Sequence, residues 1–158
     1  MQDERMLQAA QLWANYVRAK QALLAAGFIR SFKSTEADFA EYLVAAVLDG
    51  RLPNSKSHPG YDVIAADKKV QVKSVTKALD NPNGYILTKD DRKDGKETTH
   101  YAFVFFNELI PDAVFLVEEA FVRNFGKTQI KRPDLEAANC KMAIDLSVFN
   151  SAASKGRV

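Results

Sequence analysis

Two short stretches carry residue types suited to work on phosphates: Gly60-Tyr61-Asp62 and Gln71-Val72-Lys73, with Asp62 and Gln71 nine positions apart. An antiparallel hairpin would bring that carboxylate and that amide together. Gln71 and Lys73 are two residues apart, so they project from one strand face, while Val70, Val72 and Ser74 point to the other. A carboxylate, an amide oxygen and an ammonium converging at a strand end offer a site for a hard cation. They also offer a positive group that can orient a water or stabilise an anionic transition state. That is phosphodiester chemistry. The plain alternative is that Gln71 and Lys73 form the wet face of an amphipathic hairpin and Asp62 a strand-entry residue.

The elements that must position these residues can be read from periodicity. Met6, Ala10, Trp13, Val17 and Leu24 recur at helical spacing from about Glu4 to Ala26, with Gly27 placed as a C-terminal cap. Ser34 suits an N-cap for a second helix carrying Phe39, Ala40, Leu43, Val44, Val47 and Leu48, which ends near Gly50. Leu52 to Gly60 has turn composition. Tyr61–Ala65 and Lys69–Val75 read as strands around a tight turn at Ala66, Asp67 and Lys68. The stretch Asn81–Thr99 is polar and irregular apart from Tyr85-Ile86-Leu87, and its length suits a functional loop. Tyr101–Phe106 and Ala113–Val117 read as central, buried strands divided by Glu108–Asp112. Short helices are expected at Glu118–Phe125 and Pro133–Asn139, with a last strand at Lys141–Leu146.

The hairpin pattern resembles the PD-(D/E)XK nuclease superfamily, whose restriction-endonuclease-like fold carries a strand Asp ahead of an acidic-X-Lys tripeptide on the neighbouring strand. The Asp corresponds to Asp62 and the Lys to Lys73. Gln71 stands where the acidic residue is expected, which is similar to the Gln-X-Lys form of the Mrr-type nucleases. The Glu that such proteins add from a preceding helix corresponds to Glu41, with Glu36 as the weaker candidate. The resemblance spans roughly Ser34 to Val117. It implies an α/β fold with a central mixed sheet flanked by helices, here with a long N-terminal helix. It further implies a magnesium or manganese ion held by Asp62, Gln71, the Val72 backbone carbonyl and Glu41, with Lys73 positioning or helping to deprotonate the attacking water. The expected activity is endonucleolytic hydrolysis of DNA in defence or DNA processing. The alternative is a module of the same fold that binds nucleic acid or protein without cleaving, for which the neutral Gln71 is the motive.

Composition sets the frame for both readings. The chain has 158 residues, 47% apolar and 27% charged, which suits one domain over residues 1–158: an N-terminal helix in 1–30, a core in 34–150 and a frayed tail in 151–158. One cysteine and two histidines exclude a disulfide framework and a Cys/His zinc cluster. Cys140 reads as a small apolar residue, and the loop residue His58 is not needed by the chemistry. No apolar run reaches the length of a membrane span, so the expected setting is cytoplasmic, without membrane contact. Basic residues outnumber acidic ones in 51–100 and again in 127–158. Lys56, Lys77, Lys89, Arg92, Lys93 and Lys96 could follow a phosphate backbone, Tyr61 and Tyr85 could stack on bases or ribose, and Ser74 could assist Lys73. DNA is the expected partner. The absence of an added specificity domain points to a homodimer, with the first helix as its candidate contact, or to a larger partner subunit.

Overall fold

In the computed structural model, which describes residues 4–55, 60–76 and 84–155, two helices lead into a mixed sheet. Helix α1 spans Glu4–Ala25 and ends as its glycine predicts. Gly27 takes φ +80, and the Phe28 N–H returns to the Leu23 carbonyl at 3.0 Å. Its apolar stripe meets no core. No α1 residue is buried, and Met6 and Trp13 are 63% and 66% exposed. Helix α2, Thr35–Val47, does pack, through Ala40, Leu43 and Val44. Its buried Asp38 pins the preceding linker, accepting the Arg30 and Ser31 N–H groups at 2.9 and 2.8 Å.

The main sheet has four strands in the order β1-β2-β4-β5: Val63–Ala65, Lys68–Thr76, His100–Asn107 and Ile110–Glu118. Strands β1 and β2 form the expected antiparallel hairpin, turning at Ala66 and Asp67 with Ala66 at φ +50. The chain then crosses over to β4, which lies parallel to β2 from Val70↔His100 to Thr76↔Phe106. Beyond β1 the sheet gains one more bridge, Arg51 to Ile64. Gly50 precedes that bridge because a Cβ there would lie 2.6 Å from the Ile64 carbonyl oxygen.

Apolar side chains cover both faces. Val70, Val72, Ala102 and Val104 meet α2 on one face, and Val75, Tyr101, Phe103 and Phe115 fill the other. This two-sided burial is why β4 reads as an unbroken apolar run.

Several expectations are corrected. The segment read as irregular contains β3, Gly84–Ile86, which pairs with β6, Gln129–Lys131, as a separate two-stranded sheet. The connection before β5 shrinks to a two-residue turn, with Glu108 and Leu109 at φ +48 and +66, as a type I′ hairpin requires. Strand β5 is an edge, not a central strand, which lets Pro111 sit within it beside the register shift at Phe105/Phe106. The strand expected at Lys141–Leu146 is reduced to one bridge, Phe115 to Lys141, with the Met142 N–H on the Val114 carbonyl at 2.8 Å. The short helices appear as α3, Glu119–Arg123, and α4, Arg132–Ala137. Residues 151–155, expected to fray, continue helix α5, Ser147–Lys155, which is anchored by Phe149 against Phe39.

Candidate active site

The hairpin puts Asp62 beside Gln71 for a backbone reason. The Asp62 N–H bonds the Val70 carbonyl at 2.8 Å and continues the β1–β2 pairing by one residue, so its side chain emerges on the Gln71 face. There, Asp62 Oδ2 accepts the Gln71 amide at 2.6 Å and the Val72 N–H at 2.8 Å. Burial raises the Asp62 pKa above its ordinary value, against the opposing pull of the Val72 N–H, the Lys73 charge and the Gln71 amide. Among the described residues, no donor engages Asp62 Oδ1.

Lys73 lies on the same face, 23% exposed, with its ammonium 5.1 Å from the Tyr85 ring centre and 4.0 Å from Asp91 Oδ1. A recess of about 530 Å³ opens in front of it, walled by Gln71, Lys73, Tyr85, Asp91, Lys96 and Tyr101. Asp91 is the group the sequence reading missed. It is 3% exposed, and its Oδ2 accepts from the Tyr85 hydroxyl, the Thr88 N–H and the Thr88 hydroxyl at 2.8–2.9 Å. Its Oδ1 accepts the Tyr101 hydroxyl at 3.2 Å. Burial works to raise the Asp91 pKa, but the Thr88 N–H, the Tyr85 hydroxyl, Lys73 and the Thr88 hydroxyl outweigh it and the net shift is downward. Burial and the Asp91 carboxylate push both tyrosine hydroxyls well above their ordinary range. Lys96 closes the far wall, donating to the Asp91 backbone carbonyl at 2.7 Å and the Tyr101 hydroxyl at 2.8 Å, with Glu119 at 3.6 Å. The one local signal for Asp91 was Thr88 three residues ahead, the spacing of a hydroxyl-to-backbone turn.

The structure brings together Asp62, Gln71, the Val72 N–H, rather than the carbonyl expected as a ligand, and Lys73. Glu41 stays half-buried on α2, a helix packed on the opposite sheet face, and it does not line the recess. Ser74 shares the strand parity of Val70 and Val72, so it is not beside Lys73. Tyr61 is buried, with the Lys69 ammonium 5.2 Å from its ring centre, which removes it as a stacking surface for a base. Arg92 is spent on structure: its guanidinium donates to the Phe125 carbonyl at 2.7 Å and to the Lys127 carbonyl. Lys93 lines the recess and Lys89 is exposed nearby. Lys56, Lys77 and His58 lie outside the described residues.

For a hard cation the donors are few. Asp62 Oδ1 is one oxygen, and the Gln71 amide oxygen becomes a second if that side chain turns over. Among the described residues, no three His, Cys, Asp or Glu side chains gather as a metal-binding group. Two such oxygens are few even for magnesium, which binds through one or two carboxylates and keeps several of its waters.

No protein-family model matches the chain, and no curated protein matches its sequence. Among the described residues, no helix is long and apolar enough to cross a membrane.

Proposed function

We propose that the protein is a metal-dependent endonuclease acting on DNA, with a restriction-endonuclease-like sheet as its frame. The observation that carries this reading is the grouping of the Asp62 carboxylate, the Gln71 amide and the Lys73 ammonium on one face of the β1–β2 hairpin, with Gln71 and Lys73, but not Asp62, lining the recess. The mixed sheet, flanked by α2 on one face, agrees with the frame that the resemblance implies.

In this reading Asp62 and Gln71 would hold a magnesium or manganese ion, which when bound would supply charge to neutralise the phosphate and to acidify a water. Lys73 meets the scissile phosphate as a cation and stabilises the charge that develops on it. One neutral amide in place of a carboxylate would weaken the cation site and make it depend more on the substrate phosphate. Lys89 and Lys93 contribute non-specific contacts to the backbone.

One observation favours the second reading, a nucleic-acid-binding module without cleavage. Gln71 turns an N–H, not an oxygen, toward Asp62, which leaves a single unengaged carboxylate oxygen.

Incubation of supercoiled plasmid and labelled single strands with magnesium, manganese or chelator, for the native protein and for equally folded Lys73→Ala, separates the two. Metal-dependent cutting lost in the variant supports the nuclease. Binding without cutting in either metal supports the module.

A further inference from the structure

Lys73 is flanked by a carboxylate that its motif does not contain. Asp91 sits 18 residues further along the chain, in the crossover between β2 and β4, yet its Oδ1 lies 4.0 Å from the Lys73 ammonium. The Tyr85 ring lies under the same ammonium, and the Tyr85 hydroxyl donates to Asp91 Oδ2 at 2.9 Å. Lys73, Tyr85 and Asp91 are thus tied pairwise into a triangle. Each corner is anchored elsewhere: Lys73 in β2, Tyr85 by its pairing with Ile130 in the small sheet, and Asp91 by Thr88 and Tyr101.

We propose that Asp91 is a positioning residue for Lys73, an assignment that rests on the nuclease reading for its consequence in catalysis. A lysine side chain has four rotatable bonds and a strongly hydrated head, so an unheld ammonium spreads over many positions. Asp91 and the Tyr85 face attract it from two sides and fix it at the recess wall, next to Gln71 and Asp62. Three donors saturate Asp91 Oδ2, and Oδ1 is shared between the Tyr101 hydroxyl and the Lys73 ammonium, which repels a metal cation. Its role is to place a cation. The short β3–β6 sheet then has a purpose, because it carries Tyr85 and the start of the Asp91 turn over the open face of β2.

The substitution Asp91→Asn tests this through the chemistry of the two oxygens. Three donors converge on Oδ2, so the asparagine oxygen takes that place and its NH₂ falls at the Oδ1 position, facing the Lys73 ammonium. Limiting acylation with an amine-reactive ester, read residue by residue by peptide mass spectrometry, should show Lys73 labelling rise severalfold. Lys69, half-buried beside Glu97 and away from Asp91, should keep its rate. In the plasmid assay, kcat should fall about 10²-fold with KM little changed, as for a misplaced catalytic group.

Equal Lys73 labelling in folded Asp91→Asn overturns the assignment. Should that variant not fold, Asp91→Ser decides: it removes the carboxylate while its hydroxyl can still accept from the Thr88 and Tyr85 donors, and unchanged Lys73 labelling would then overturn the proposal while a rise supports it. Native protein that never cuts, combined with raised labelling in the variant, sinks the nuclease reading and leaves the placement of Lys73 by Asp91 standing. Native protein that cuts, with labelling and kcat unchanged in the variant, does the reverse.

Discussion

Gln71 and Val72 both donate to the same Asp62 oxygen, the side-chain amide at 2.6 Å and the backbone N–H at 2.8 Å. A glutamate at position 71 could not make the first of these bonds. The substitution Gln71→Glu would place two carboxylates in contact, which costs stability without a cation and supplies a second anionic ligand with one. In chelator the variant should melt lower than native protein, by an equivalent of about 1–3 kcal/mol. Manganese should raise its melting temperature more than it raises that of the native protein. Thermal melts with and without metal check this, and identical metal shifts in the two proteins would remove Asp62 and residue 71 from any metal site.

Asp62 and Asp91 should respond to pH with opposite signs. The Asp62 pKa is raised in the folded state, chiefly by burial, so its contribution to stability is complete below the ordinary value of 3.8 and is lost as pH rises through the folded value. At neutral pH the ionised group therefore costs stability, and Asp62→Asn should melt higher than native protein. The Asp91 pKa is lowered, because four favourable interactions outweigh burial. Its contribution is present above 3.8 and is lost as pH falls through the folded value. Asp91→Asn should melt lower at neutral pH. Both differences from native protein should narrow in acid, and a melting series against pH that gives the two variants the same sign would contradict the assignment.

The hairpin was legible because its alternation is local: Val70 and Val72 face α2, while Gln71 and Lys73 face the recess. Strand β4 was legible because both its faces are buried, and the end of α1 because Gly27 alone accepts φ +80 without strain. Strands β3 and β6 were not, since three residues at Tyr85 and three at Ile130 leave no period and find each other only through the fold. Asp91 was hidden for the same reason. Nothing beside it in the chain says that Tyr101 and Lys73 will converge on it. Arg92 and Lys93 are adjacent and equally charged in sequence, yet one is committed to backbone carbonyls and the other faces the recess.

That difference predicts two phenotypes for one kind of substitution. Lys93→Gln should leave stability unchanged, weaken DNA binding and reduce the slope of log affinity against log salt by about 1. Arg92→Gln removes the donor to the Phe125 and Lys127 carbonyls and should cost about 1 kcal/mol of stability, with a smaller effect on the salt slope. Fluorescence anisotropy with a short duplex at several salt concentrations, alongside thermal melts, separates them. Equal salt slopes for the two variants would mean that Lys93 does not meet the phosphate backbone.

Helix α1 gives the sharpest contrast between pattern and burial. Met6, Ala10, Trp13, Val17 and Leu24 form a stripe as regular as that of α2, but Trp13 is 66% exposed and α1 buries no residue. Phe103, in β4, is fully buried beside Tyr85 and Tyr101 on the sheet face that Val75 and Phe115 also fill. Trp13→Ala should therefore change the unfolding free energy of a dilute sample by no more than about 0.5 kcal/mol. Phe103→Ala should cost about 3–5 kcal/mol, because it opens a cavity that fixed strands on either side cannot close. Denaturant melts at two protein concentrations test both. A large loss for Trp13→Ala that grows with protein concentration would mean that a second copy covers the α1 stripe, the contact expected of a homodimer; a large loss independent of concentration would mean that α1 packs on its own chain.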